Sequence, residues 1–284
     1  MPAVLVTGAS SGIGRACALR LVAAGHLVFA GVRRDVDAEA LHRDAPRVGG
    51  RLETVELDVT DEAQVGEALD RVGRRLDGRR FAGVVNNAGV AIGGPVEYLG
   101  LDWWRTQLEV NVIGQVAVTK AALPLVRDGC GRIVFIGSNS GRVATPMMAP
   151  YCASKFAIEG LAESLRHELA DWSIPVVVVE PGAIRTPIWD KGRDLADRLD
   201  ADLPPEAHER YARFIAMIRR ALDHQEQAGI DPDRVARVVE RALTVERPRA
   251  RYQVGMDATV GALAARFLPD RVRDAAVAAT AERI

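Results

Sequence analysis

The sequence predicts a doubly wound α/β domain, a parallel sheet with helices on both faces. Three observations carry that prediction. Short runs that are apolar throughout, not alternating, recur over the first two thirds of the chain, and such runs belong to strands covered on both sides. Stretches with helical spacing separate them, as parallel strands require. The first run ends in a glycine-rich turn that opens a helix, the usual ligand-binding edge of such a sheet.

The elements follow in order. Ala3–Thr7 is a buried strand that stops at Gly8. Ile13–Ala24 is helical, with Ala16, Leu19 and Ala23 near one face and Gly25 past its end. Leu27–Gly31 and Leu52–Leu57 are the second and third strands, and Asp61–Leu76 is a charged amphipathic helix. Phe81–Val85 is the fourth strand, closed by Asn86-Asn87-Ala88-Gly89. Leu101–Val126 reads as one long helix that Gly114 and Pro124 interrupt. Arg132–Ile136, the helix Tyr151–Ala170 and the valine-rich strand Pro175–Glu180 complete the regular alternation. Beyond Pro187 the rhythm breaks. Residues 187–230 hold helix-like pieces without a strand and are expected to form a lobe over the crevice. A helix near Asp233–Thr244, a short strand at Tyr252–Val254 and an alanine-rich helical tail, 256–284, packed against the lobe, are expected to follow. With no internal repeat and no flexible linker, residues 1–284 read as a single domain.

Composition narrows the function classes. The 284 residues are 48% hydrophobic and 26% charged, with a formal net charge of −1, which excludes a disordered chain. The 37 basic residues are balanced by 38 acidic ones without a long basic run, so no nucleic-acid partner is expected. No apolar stretch approaches the roughly 18 residues of a transmembrane helix, and no leader peptide is visible at the N-terminus. Cys17, Cys130 and Cys152 form no CxxC pair or zinc spacing. They read as buried, reduced thiols of a cytoplasmic protein. The five histidines form no ligand pair, so no metal is expected.

The turn Thr7-Gly8-Ala9-Ser10-Ser11-Gly12-Ile13-Gly14 lies between the first strand and the first helix. Its glycines allow a tight turn and close approach to a pyrophosphate, and the helix N-terminus supplies free N–H groups. No Gly-Lys-Ser/Thr follows, which excludes the Walker phosphate loop. This is the dinucleotide edge of a Rossmann-type domain. The second strand runs out at Val32, and Arg33 and Arg34 follow. Guanidinium groups there suit the 2′-phosphate of NADP(H). Asp35 keeps NAD(H) open as the alternative.

Tyr151 and Lys155 stand four apart on one helical face. An ammonium beside a phenol favours the phenolate and brings it towards neutral pH. Lysine occurs three times in the chain and asparagine four times, so Lys155, Asn87 and Asn111 are scarce residues in chemically useful places. Ser138 follows the fifth strand, and Asn111 lies inside the long helix, where asparagine is mildly unfavourable. Gly8, Asn87, Ser138 and Pro181-Gly182 all follow strand ends and should converge on one crevice. A serine hydrolase is excluded, because Gly137–Gly141 places Asn139, not serine, at the centre. Met147 and Met148, with Trp189 and other apolar residues of the lobe, point to a bulky apolar alcohol or ketone.

The TGxxxGxG turn at 7–14, Asp58, NNAG at 86–89, Asn111, Ser138, YxxxK at 151–155 and PGxxxT at 181–186 together resemble the short-chain dehydrogenase/reductase family. The resemblance is strong over residues 3–187. Arg251–Gly255 and the long tail look like the branch that contains hydroxysteroid and retinol dehydrogenases. Asn139 after Ser138 is a small departure. The resemblance implies an NAD(P)-dependent oxidoreductase. It makes Tyr151 the general acid in reduction and the base in oxidation. Lys155 would bind the nicotinamide ribose and lower the tyrosine pKa, Ser138 would bond the substrate oxygen, and Asn111 would hold a water in a proton relay. Ser10, Ser11, Gly12 and Ile13 of the turn would hold the pyrophosphate. Asp58 and Val59 would contact adenine, and Asn87, Ala88 and Gly89 would lie near the ribose. Ile184 and Thr186, after Pro181-Gly182, would orient the carboxamide. Val32 stands where NAD-preferring members carry an acid, and Arg33 stands next to it. A homodimer or homotetramer through the helices at 101–126 and 151–170 is implied too. The remaining alternatives are an NAD-dependent alcohol dehydrogenase of the same family and a non-catalytic nucleotide-binding regulator.

Overall fold

Seven parallel strands form one sheet in the order β3-β2-β1-β4-β5-β6-β7. They are β1 (Ala3–Val6), β2 (Leu27–Val32), β3 (Arg51–Glu56), β4 (Phe81–Asn86), β5 (Arg132–Ile136), β6 (Val176–Pro181) and β7 (Arg251–Val254). The computed structural model describes residues 1–187, 197 and 203–282. The chain reverses its direction of travel between β1 and β4, which opens a crevice at the carboxyl ends of the strands.

The absence of alternation in the strands has a direct cause: helices cover both faces. Ala3 and Leu5 of β1 point into one core with Val65, Leu69, Val118 and Ile158. Those residues come from α3 (Glu62–Arg75), α5 (Gly114–Asp128) and α6 (Ala149–Glu168). Val4 and Val6 point the other way, into a core with Leu21 of α1 (Gly12–Ala23) and with Val235 and Val239 of a later helix, Pro232–Thr244. Every residue of β1, β2, β4, β5 and β6 is therefore buried whichever way it points, whereas the edge strands β3 and β7 keep exposed positions.

Several elements depart from expectation. A helix, α2 (Asp35–Asp44), follows β2; it buries only Leu41, too little for an apolar pattern to announce. The buried face of α1 is Cys17, Ala18, Leu21 and Val22, and Ala23 is exposed. The long helix is two helices, α4 (Leu101–Leu108) and α5, joined by a π-helical turn at Glu109–Ile113. Pro124 lies inside α5 without ending it. Cys17 and Cys152 are buried, but Cys130 is exposed.

The next helices of the described chain after β6 are α7 (Pro205–Ala228) and α8, the Pro232–Thr244 helix. Ile230, between them, forms a parallel bridge with Ile184 where no strand pairing was expected. The tail holds two helices, α9 (Met256–Phe267) and α10 (Asp270–Glu282). α10 lies against α7. α9 leaves Met256, Val260, Leu263 and Phe267 exposed along one stripe. Among the described residues no helix is long and apolar enough to cross a membrane.

Candidate active site

The glycine turn is folded onto the segment that follows β4. Gly8 and Gly12 adopt φ of +63° and +53°, a left-handed conformation that glycine takes without strain. The Thr7 hydroxyl accepts hydrogen bonds from the N–H groups of Asn87 and Ala88, each at 3.0 Å. Asn87 Nδ2 donates to Thr7 O at 2.9 Å and Gly8 O at 3.1 Å. Asn87, expected beside a ribose, thus also locks the turn. α1 opens at Gly12 with no side chain capping it, which leaves its first N–H groups and partial positive charge for an anion. Gly14 is buried beneath the turn and is not part of the crevice wall.

The crevice has a volume of about 710 Å³, within the range of small-molecule sites. One end is formed by Arg33, Arg34, Asp37, Asp58 and Val59. Arg33 Nη1 lies 3.5 Å from Asp58 Oδ2. Arg34 grips Asp37 through Nε and Nη2, both at 2.8 Å. The arginines therefore pair with Asp58 and Asp37, which both line the crevice; Asp35 opens α2 and does not line it. Burial pushes the Asp58 carboxyl up. The N–H and hydroxyl of Thr60, with Arg33, outweigh that and hold it below the usual carboxylate range.

The other end holds Ser138, Tyr151 and Lys155. All three are buried. Ser138 extends from the end of β5, and Tyr151 and Lys155 from the first turns of α6. Burial pushes the Tyr151 phenol up to about 12, with the Ser138 hydroxyl acting in the opposite direction. Burial pushes the Lys155 ammonium down to about 8. The Tyr151–Lys155 spacing predicts a lysine that lowers the tyrosine. In the protein alone desolvation dominates both groups, and Lys155 Nζ, 5.7 Å from the Tyr151 ring centroid, donates to Ile136 O at 2.8 Å. At neutral pH the site accordingly holds a phenolic O–H beside a buried cation.

Asn111 is fully buried in the π-helical turn, a distortion that recurs at functional sites. Its Nδ2 donates to Val90 O at 3.0 Å and Ser154 Oγ at 3.1 Å, and its Oδ1 accepts from Val90 N at 2.8 Å. Ser154 Oγ donates to Tyr151 O at 2.7 Å. The Asn111 amide thus ties the loop after β4 to the tyrosine helix, and the water-holding role expected of its side chain competes with these bonds. Gln107, four residues earlier, repeats the pattern: Oε1 accepts from Ile92 N at 2.7 Å and Nε2 donates to Val90 O at 2.9 Å. Sequence reasoning missed Gln107; two amides four apart on one helix face were the available signal.

Pro181, Gly182, Ile184 and Thr186 close the crevice opposite the glycine turn. A Cβ on Gly12 would stand 3.1 Å from Thr186 Cβ, so the two segments touch. Met147 and Met148, expected at the substrate, do not line the crevice. Met147, with φ of +68°, accepts a 2.6 Å bond from Gly94 N, and Met148 Sδ rests on Gly93. Trp189 lies outside the described residues.

Behind Ser138 lies a charged cluster that the sequence did not announce. Glu180 Oε1 receives Arg142 Nε at 3.0 Å and Nη2 at 2.8 Å, and Glu180 Oε2 receives Gln253 Nε2 at 2.8 Å. Arg251 Nε donates to Glu159 Oε2 at 2.9 Å, and Arg142 Nη2 lies 3.2 Å from that oxygen. Glu159 stands one helical turn beyond Lys155 on the same face of α6, so the 151, 155, 159 spacing was the clue. Arginines at one end, an uncapped helix N-terminus at the middle and a buried lysine at the other end fit a dinucleotide.

Known proteins point the same way. Residues 2–196 match the short chain dehydrogenase family. Human retinol dehydrogenase 5 is 38% identical over 283 residues, 96% of this chain and 86% of that protein. The NADPH-dependent 3-dehydrocapnine reductase of Ornithobacterium rhinotracheale is 32% identical over 275 residues, 95% of this chain and 94% of that one. The crystal structure of a short-chain dehydrogenase from Streptomyces avermitilis superposes with a TM-score of 0.77 at 30% identity, covering 96% of this chain and 94% of its own. With the parallel sheet, its switch-point crevice and these relatives in agreement, the chain belongs to the short-chain dehydrogenase/reductase family, in its retinol- and hydroxysteroid-dehydrogenase-like branch, and is an NAD(P)-dependent oxidoreductase acting on a carbon–hydroxyl or carbonyl group.

Proposed function

We propose that the protein is an NADP(H)-dependent oxidoreductase for a bulky apolar ketone or secondary alcohol, of steroid, retinoid or lipid type. The observation that carries this reading is the crevice itself, with exposed arginines at one end and the buried Ser138, Tyr151 and Lys155 at the other. Bound there, the nicotinamide dinucleotide supplies or takes up the hydride.

The chain's own residues do the rest. The Ser138 hydroxyl holds the substrate oxygen. The Tyr151 O–H gives that oxygen a proton in reduction and, as phenolate, removes it in oxidation. Lys155 keeps one N–H on Ile136 O and has further donors for ribose hydroxyls; its charge opposes the burial that holds the phenol proton so tightly. Asn111 and Gln107 position the tyrosine helix through Ser154 and Val90. Ser10, Ser11, Gly12 and Ile13 cradle the pyrophosphate, Asp58 and Val59 meet adenine, Asn87, Ala88 and Gly89 face the ribose, and Ile184 and Thr186 orient the carboxamide. The exposed Arg33 and Arg34 exchange the half-buried carboxylates of Asp58 and Asp37 for the 2′-phosphate. The NADPH named for one relative and the retinol named for another support both halves of the reading. Asp37 at the crevice favours the second reading, NAD(H), whose ribose hydroxyls an acid would bind.

We further propose one domain whose segment 187–230 covers the substrate, with 256–284 as a C-terminal extension, working in the cytoplasm as a homodimer or homotetramer. Exposed Leu108, Ile113 and Phe156, in and beside α4, α5 and α6, support that assembly. The test is calorimetric titration with NADPH and NADH side by side, followed by turnover of apolar ketones by wild type and Tyr151→Phe. Tighter NADPH binding, with Tyr151→Phe retaining it but losing at least a hundredfold in kcat, is the expected result. Tighter NADH binding overturns the cofactor preference, and binding of neither overturns the function.

A further inference from the structure

The segment Pro181–Thr186 is pinned from three sides. Gly182 N donates to Val254 O of β7 at 2.9 Å. Ala183 O accepts from Ile230 N at 2.9 Å, and Arg185 N donates to Ile230 O at 3.0 Å. The third contact is the only one of the three made by a side chain: Ala183 N donates to Asp257 Oδ2 at 2.7 Å. Asp257 belongs to the first turn of α9 in the C-terminal extension, 74 residues along the chain.

The backbone is shaped around this carboxylate. A Cβ on Gly182 would overlap both of its oxygens, and one on Gly255, where φ is +115°, would stand 2.5 Å from Oδ1. An acid in the first turn of a helix is often there only for the helix dipole. Here Asp257 turns outward to the Ala183 N–H, and Gly255, with no side chain, occupies the cap position. The bond is charge-assisted and closes on the wall that Pro181, Gly182 and Ile184 present to the crevice.

We infer that Asp257 is a positioning residue: its carboxylate sets the Pro181–Thr186 segment and, through it, the seat of the nicotinamide half of the cofactor. This rests on the proposed function above. It makes the C-terminal extension part of the working site and ties α9 to cofactor binding.

Two probes separate this from a general effect on folding. NADPH spans the whole crevice, whereas 2′,5′-ADP reaches only the adenosine end (NADH and ADP form the equivalent pair should NADH bind more tightly). Asp257→Ala is expected to weaken NADPH about three- to tenfold and to leave 2′,5′-ADP within twofold of wild type. Asp257→Asn keeps an acceptor for the Ala183 N–H and is expected to bind NADPH within about twofold of wild type. Equal weakening of both probes, unchanged NADPH binding in Asp257→Ala, or an asparagine variant as poor as the alanine one would overturn the inference. A wild-type protein that binds neither NADPH nor NADH would instead remove the function on which it rests.

Discussion

Two pairs of arginines flank the crevice and are held in opposite ways. Arg33 and Arg34 stand at the rim, where the Arg33 side chain is 67% exposed and its carboxylate partner lies at 3.5 Å. Arg142 and Arg251 stand behind Ser138, each 26% exposed, against a Glu180 that is 1% exposed. Water screens the rim arginines, so exchanging a carboxylate for another anion is nearly neutral. The inner cluster has no such freedom. Its carboxylates have lost water and depend on the guanidinium groups, so losing one partner leaves a charge stranded. Adaptable charge lies where a ligand is expected to arrive, and fixed charge lies where the tyrosine helix, β6 and β7 must keep register.

The largest effect should come from the inner cluster. Glu180 bridges Arg142 and Gln253, so Arg142→Ala is expected to cost about 3–5 kcal/mol of folding stability, read as a lower denaturant midpoint. A loss under about 1 kcal/mol would show that water reaches the cluster and that the two pairs are alike.

Lys155 sharpens the contrast, because its bond inside is to the neutral Ile136 O. Burial lowers it from 10.5 to about 8. Below pH 8 both the folded and the unfolded chain keep this proton. Between about pH 8 and 10.5 the unfolded chain binds it and the folded chain does not, so this residue makes stability rise with pH across that window. The gain is up to about 3 kcal/mol. Denaturation of wild type and Lys155→Met from pH 7 to 10 should show a rise in the first that the second lacks. Parallel profiles would mean that the ammonium is solvated.

At the rim, Arg33→Ala is expected to weaken NADPH about ten- to thirtyfold, to change NADH less than threefold, and to leave the denaturant midpoint in place. Equal loss for both cofactors would move the phosphate contact elsewhere.

The smallest effect should come from the outer contacts of α7. There Glu97 receives Arg210 Nη1 at 3.2 Å and the Tyr211 hydroxyl at 3.1 Å, with the Glu97 and Arg210 side chains exposed to solvent. Glu97→Gln is expected to leave the denaturant midpoint unchanged within error. A clear drop would place this surface contact with the buried cluster.

Much of the site was legible because its chemistry is local. Tyr151 and Lys155 share a helix face, the turn from Gly8 to Ile13 lies within one short segment, and Ser138 directly follows a strand. Asn111 was found by its scarcity, yet the π-helical turn and its partner Val90 were not. Met147 and Met148 precede the tyrosine helix in sequence, and only the fold sets Met147 O against Gly94 N and Met148 Sδ against Gly93.

The amino-acid order alone specifies the strands, their alternation with helices and the residues that follow their carboxyl ends at the crevice. Periodicity reports burial, and a strand covered on both faces must be apolar throughout. Which distant group each charged side chain meets follows only from the packing. Arg142 finds Glu180 across 38 residues, Arg251 finds Glu159 across 92, and Ala183 finds Asp257 across 74. A charged side chain in a sequence looks the same whether water or a distant partner will surround it. Only the packing of α6, β6, β7 and α9 around one end of the sheet removes the water and makes the partner necessary.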